Sequence, residues 1–122
     1  MCVYVAGPLN GTAVEYIKNV GRMCREALSV LAKGHSPFVP CLDLLLGILH
    51  GGMEYEEYAE SNLLWVAKAD VVYALGRSPG TDREIAYAAG HGVPVVWCID
   101  QLADFEWNPY RHQWTLREKA DG

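Results

Sequence analysis

Short apolar runs alternate along this chain with longer segments in which apolar residues recur every three or four positions. Cys2-Val3-Tyr4-Val5-Ala6 is apolar throughout and stops at Gly7-Pro8, which predicts a buried first strand. Thr12 can cap the helix that follows. There Val14, Ile17, Val20, Ala27, Leu28 and Leu31 recur at roughly helical spacing, and Gly34 ends it. His35 to Pro40 predicts a short second strand bracketed by prolines, which start or end strands but rarely sit centrally. Cys41 to Leu49 is apolar and predicts a short helix or ordered loop, broken by Gly51-Gly52; it suits either a pocket wall or a packed loop. Tyr55 to Ala69 predicts a second helix, with Tyr55, Tyr58, Ala59, Asn62, Trp65, Val66 and Ala69 on one face. Asp70 to Leu75 and Val93 to Cys98 do not alternate polar with apolar, so they predict strands buried on both faces, as in a parallel sheet. Between them, Asp82 to about His91 predicts a helix closed by Gly90 or Gly92.

The order β-α-β-α-β-α-β predicts an α/β domain with a doubly wound, mostly parallel sheet of four to five strands and right-handed crossovers. Its core spans about residues 2–98 of a single 122-residue domain. Such sheets bind ligands at the carboxyl ends of their strands. Gly7 to Gly11, Pro40 to Asp43 and Ser78 to Glu84 all follow strands, so they are expected at one edge. The tail, residues 99–122, holds Phe105, Trp107, Tyr110 and Trp114, with a short last strand near Gln113 to Leu116. So many aromatics suggest packing on the domain's own edge or on a partner subunit.

Composition narrows the functions. Hydrophobic residues make up 51% and charged residues 20%, which describes a globular chain. The net charge is −5 without a Lys/Arg cluster, which argues against a nucleic acid polymer as partner. Cys2, Cys24, Cys41 and Cys98 lack C-x-x-C spacing and are expected as reduced core thiols of a cytoplasmic protein. His35, His50, His91 and His112 are scattered, so no metal is expected. No apolar run reaches transmembrane length, and no signal peptide precedes the first strand, so no membrane is expected either.

Candidate chemistry concentrates in Arg77-Ser78-Pro79-Gly80-Thr81-Asp82-Arg83-Glu84, a strand-to-helix turn. Its Ser78, Gly80 and Thr81 can aim backbone N–H groups at an anion, helped by the helix dipole, which also favours an ionised Glu84. Thr81-x-x-Glu84 is equally a capping box, in which Glu84 only returns a hydrogen bond to the backbone. Asn62 is a polar group on an apolar stripe, and a buried amide without partners costs on the order of 1–3 kcal/mol. Its partners are either a loop backbone or a ligand. Glu56, Glu57 and Glu60 belong to the solvated face. Gly7 and Gly11 do not complete G-x-G-x-x-G, so no dinucleotide cofactor, and no cofactor at all, is expected.

Three stretches together carry a resemblance over about residues 2–98. They are Tyr4-Val5-Ala6-Gly7-Pro8, then Asn62-Leu63-Leu64-Trp65 ahead of Ala69-Asp70-Val71-Val72-Tyr73-Ala74, and then Ser78-Pro79-Gly80-Thr81-Asp82-Arg83-Glu84-Ile85-Ala86-Tyr87-Ala88. In order and spacing they resemble the nucleoside 2-deoxyribosyltransferase superfamily, which includes 2'-deoxynucleoside 5'-phosphate N-hydrolases and small phage and bacterial members. The resemblance implies that Glu84 is a nucleophile attacking the anomeric carbon, and that Tyr4 positions sugar and carboxylate. It implies that Gly7, Ser78 and Gly80 line the sugar and its 5' end, in a site that draws also on Pro8, Asn10 and Thr81. Ser78 resembles the phosphate-binding hydrolases, where the transferases more often have an acidic residue, and Tyr4 points to a 2'-deoxy sugar. Asn62 departs from the family, which usually has an aspartate assisting at the base; an amide cannot act as a general acid. Glu60 or Asp43 can supply the proton instead, the base can leave without one, or the protein binds a nucleotide with little turnover. The resemblance therefore implies an N-glycosidase cleaving the base–sugar bond of a nucleoside 5'-monophosphate. A deoxyribosyltransferase and a nucleotide-binding module are the alternatives. The P-G-G-x-G-T-x-x-E loop of phosphoribohydrolases is matched only in part. The family commonly builds its site near a subunit interface, so at least a homodimer is expected.

Overall fold

In the computed structural model, which describes residues 1–41, 51 and 54–118, four short strands form one parallel sheet in the order β2-β1-β3-β4. These are β1 (Cys2–Ala6), β2 (Ser36–Phe38), β3 (Val71–Ala74) and β4 (Val95–Val96). Helices α1 (Ala13–Ala32), α2 (Tyr55–Lys68) and α3 (Pro79–Gly90) separate them. The fold is thus the expected α/β arrangement, a single Rossmann/flavodoxin-like domain. Asp43 and most of the Cys41 to Leu49 segment, together with Gly52, lie outside the described residues.

The central strands are apolar because both faces are covered. Val3, Tyr4, Val5 and Ala6 of β1 and all four residues of β3 are buried. Val3 pairs with Val71, Tyr4 with Val72, Val5 with Tyr73 and Ala6 with Ala74. Alternation then sends Val3 and Tyr73 to a cluster with Val30, Val96, Leu102 and Phe105. Tyr4, Ala6 and Val72 go to the opposite side, with Val66 of α2 and Ala88 of α3. β1 fills its whole apolar run, whereas β2 and β4, edge strands with few ladder partners, are shorter than theirs.

Helix α1 turns a different face inward from the one its apolar spacing suggests. Met23, Ala27 and Val30 are buried, whereas Val14, Ile17, Leu28 and Leu31 are exposed. Two polar contacts fix this rotation. The Tyr73 hydroxyl donates to Glu26 Oε2 at 2.8 Å, and Arg22 Nη2 donates to the Leu75 carbonyl at 2.6 Å. Cys2 and Cys98 are exposed at strand margins rather than in the core; Cys41 is buried and lies 3.9 Å from Cys24, sulfur to sulfur.

After β4 a short 3-10 helix (Ile99–Asp104) leads into an antiparallel hairpin of β5 (Phe105–Asn108) and β6 (Gln113–Leu116). The last strand is where the sequence places it, but its partner is β5 rather than the main sheet. Phe105 and Leu102 anchor this unit in the core, and Trp114 packs edge-on against His35 at 6.4 Å. Among the described residues no helix is long and apolar enough to cross a membrane.

The rotation of α1 is directly measurable. Val30 has 0% of its surface exposed and Leu28 66%. Val30→Ala removes buried methyl groups and leaves a cavity, so it should cost about 2–3 kcal/mol in urea denaturation. Leu28→Ala should stay within about 0.5 kcal/mol of the parent; the reverse ranking would contradict the fold.

Candidate active site

The carboxyl ends of β1 and β3 open onto a pocket of about 450 Å³. Gly7, Pro8, Leu9 and Asn10 line it after β1; Tyr58, Ala59, Asn62 and Leu63 line it from α2; Ser78, Gly80, Thr81, Arg83 and Glu84 line it from α3. Gly7 is small for a packing reason. A Cβ there would stand 3.2 Å from the Leu75 Cβ, where the chain leaves β3.

Helix α3 starts three residues earlier than its apolar pattern suggests. Ser78 is the N-cap, extended at φ −159°, and Pro79 follows as the first helical residue. The Ser78 Oγ accepts from the Thr81 N–H at 3.2 Å and lies 2.9 Å from the Thr81 hydroxyl. The Ser78 carbonyl takes the Asp82 N–H at 2.8 Å. The capping box Thr81-x-x-Glu84 is therefore not formed, and Glu84 is free of any capping duty. The same cap reduces the expected anion nest. Pro79 has no N–H and those of Thr81 and Asp82 are engaged, which leaves Gly80 as the first-turn donor among the described residues.

Glu84 points inward instead. Burial pushes its carboxyl group up to about 7, and a hydrogen bond from the Tyr4 hydroxyl opposes that rise. Loss of hydration at this position thus works against the ionised form that the helix dipole favours. Tyr4 does not line the pocket. It lies beneath Glu84 with no exposed surface, its ring stacked on Phe38 at 5.4 Å, and Phe38 stacks on Trp65 at 5.0 Å. Trp65, read from the sequence as part of a core face, is 49% exposed and closes this stack from outside.

Three polar atoms are buried around the pocket without a hydrogen-bond partner among the described residues: Glu84 Oε2, Asn62 Oδ1 and the Tyr58 hydroxyl. Each costs about 1–3 kcal/mol unless something meets it. Among the described residues no backbone group meets the Asn62 carbonyl oxygen, and Asn62 lines the same pocket as Glu84. Arg83 brings a cation to the mouth, with Nη1 3.4 Å from Glu56 Oε2. Glu60 is exposed and does not line the pocket.

Of the residues singled out in sequence, the pocket gathers Gly7, Pro8, Asn10, Asn62, Ser78, Gly80, Thr81 and Glu84, with Tyr4 behind them. Tyr58 and Arg83 were missed as site residues. Their signals were weak but present: Tyr58 precedes Asn62 by four on one helical face, and Arg83 lies three residues after Gly80 on another.

Fold and pocket together define a doubly wound α/β domain with a buried carboxyl group at the carboxyl edge of its sheet. The chain belongs to the family described as domain of unknown function DUF4406, whose model matches residues 1–97. No curated protein and no solved structure matches it.

Holding Glu84 out of water has a stability consequence of definite sign. The group binds its proton more tightly in the fold, at about 7, than at the ordinary 4.5. The fold is thus favoured at low pH and loses that advantage as pH rises through 7, by on the order of 3 kcal/mol in all. Glu84→Gln should therefore be the more stable protein at pH 8 by about 2–3 kcal/mol, with the gap falling below about 1 kcal/mol at pH 5. Urea midpoints at the two pH values measure it; a gap that does not change with pH would place Glu84 in water.

Proposed function

We propose that the protein is an N-glycosidase that cleaves the base–sugar bond of a nucleoside 5'-monophosphate, with a 2'-deoxy sugar. The observation that carries this is Glu84, a carboxyl group buried at a pocket wall, backed by Tyr4 and facing polar atoms of α2 that meet no partner among the described residues. The resemblance to the nucleoside 2-deoxyribosyltransferase superfamily supports the same roles for Glu84 and Tyr4.

The Glu84 carboxylate attacks the anomeric carbon as the bond to the base breaks, and water resolves the glycosyl ester. Tyr4 fixes the carboxylate through its hydroxyl, and its own ring is fixed by Phe38. Gly80 and Arg83 share a face of α3 with Glu84, so a 5'-phosphate held at the pocket mouth meets one backbone N–H and one guanidinium. That arrangement supports a phosphate ester over a free nucleoside. Ser78 acts there through the cap, shaping the turn, more than through a free hydroxyl.

Base release from a panel of nucleosides and nucleoside 5'-monophosphates tests the proposal. Glu84→Gln should abolish release. For the parent, kcat/KM should rise with pH and level off above about 7, as Glu84 of the free protein loses its proton. Binding without release at any pH would leave a nucleotide-binding module, and a profile falling through pH 7 would overturn the nucleophile. Arg83→Ala should raise KM for monophosphates about tenfold while nucleoside turnover stays unchanged; equal effects on both would remove the phosphate from the mouth.

A further inference from the structure

We propose that Tyr58 is the acid that hands a proton to the departing base, an inference that rests on the glycosidase reading above. Cleavage leaves an electron pair on a base nitrogen, and a neutral base accepts it far more readily if a proton arrives with the break. Asn62 faces the pocket but holds no acidic proton. Glu60 is exposed and outside the pocket. Glu56 lines the pocket, but its carboxylate is exposed and paired with Arg83. The hydroxyls of Ser78 and Thr81 bond each other, and that of Tyr4 serves Glu84.

Tyr58 differs from all of these. Its side chain lines the pocket, only 8% of the residue is exposed, and its hydroxyl meets no partner among the described residues. A tyrosine in a core normally places its hydroxyl on a partner. This one stands one helical turn before Asn62, on the α2 face turned toward the pocket. The two side chains thus form a pair across from the nucleophile. Asn62 Oδ1 accepts from an N–H of the base and sets its orientation, while the Tyr58 hydroxyl addresses the nitrogen that gains charge.

The step balances. A Glu84 oxygen bonds to C1' as the C1'–N bond breaks, and the electron pair of that bond passes to the base. The base takes the Tyr58 proton and leaves neutral. Water then attacks C1', the carboxylate departs, and the proton of water returns to the Tyr58 oxygen.

Substrates with different demand for a proton separate this role from packing. The probes are the four 2'-deoxynucleoside 5'-monophosphates, with N7-methylated purines and 5-halogenated pyrimidines as counterparts whose bases leave more easily. Tyr58→Phe should lower kcat about 100-fold on the ordinary substrates and less than about fivefold on the N7-methylated ones, with KM little changed. Its thermal stability without ligand should match the parent, since the lost hydroxyl has no partner among the described residues. An equal loss on both substrate classes, or a clear loss of stability, would make Tyr58 a packing residue while leaving Glu84 as the nucleophile. Release that survives Glu84→Gln, or no release by the parent from any probe, would bring down the glycosidase reading and this inference with it.

Discussion

Glu84 is a carboxyl group largely kept from water at the wall of a pocket beyond the sheet's carboxyl edge, and the positions of its neighbours bear on that. Its hydrogen-bond partner, Tyr4, sits in β1, between β2 and β3, where parallel pairing on both sides leaves the strand no freedom. Gly7 lets the chain leaving β1 pass close to Leu75, so the two strand ends open into one pocket. Ser78 takes over the capping of α3, which frees Glu84 to face inward. Each of these is a local preference, and each would be unremarked in isolation. Together they hold one ionisable group at a place where its charge is expensive.

That expense is the physical sign of a site. Tyr58, Asn62 and Glu84 each bury a polar atom that the described residues do not satisfy, and all three line one pocket. A fold selected for stability alone would replace them with apolar groups of similar shape. A ligand that supplies the missing hydrogen bonds relieves the three costs together. The raised affinity of Glu84 for its proton belongs to the same pattern, because a carboxyl group near neutrality changes state with small changes in its surroundings.

The sheet was legible in sequence because strands buried on both faces are apolar at every position, and β1 and β3 are. The meeting of the loops after β1 and β3 at one edge followed from topology alone. The rotation of α1 was not legible, because apolar residues occupy two neighbouring stripes of that helix. Glu26 and Arg22, through partners on or after β3, help choose between them. Cys2 and Cys98 looked internal because their runs are apolar, yet Cys2 opens β1 at its exposed end and Cys98 lies beyond β4. Glu84 stood out as a residue, but its burial depends on Tyr4, which is remote in sequence. Tyr58 read as one more apolar position on a helical face; that its hydroxyl meets no partner among the described residues is a fact of packing, invisible to periodicity.

The amide at position 62 gains a meaning from the burial of Glu84. A carboxylate there would put a second negative charge into the same poorly hydrated pocket. Two such groups titrate as a pair, and one of them would stay protonated near neutral pH. Glu84 already holds its proton up to about 7 with no such neighbour, so a further rise would keep it neutral, whereas the proposed nucleophile must be charged. Asn62 keeps the hydrogen-bonding capacity of the position and adds no charge. In the proposed mechanism the proton donor must then be a group that is neutral before it gives its proton, and a phenol on the same helical face meets that condition.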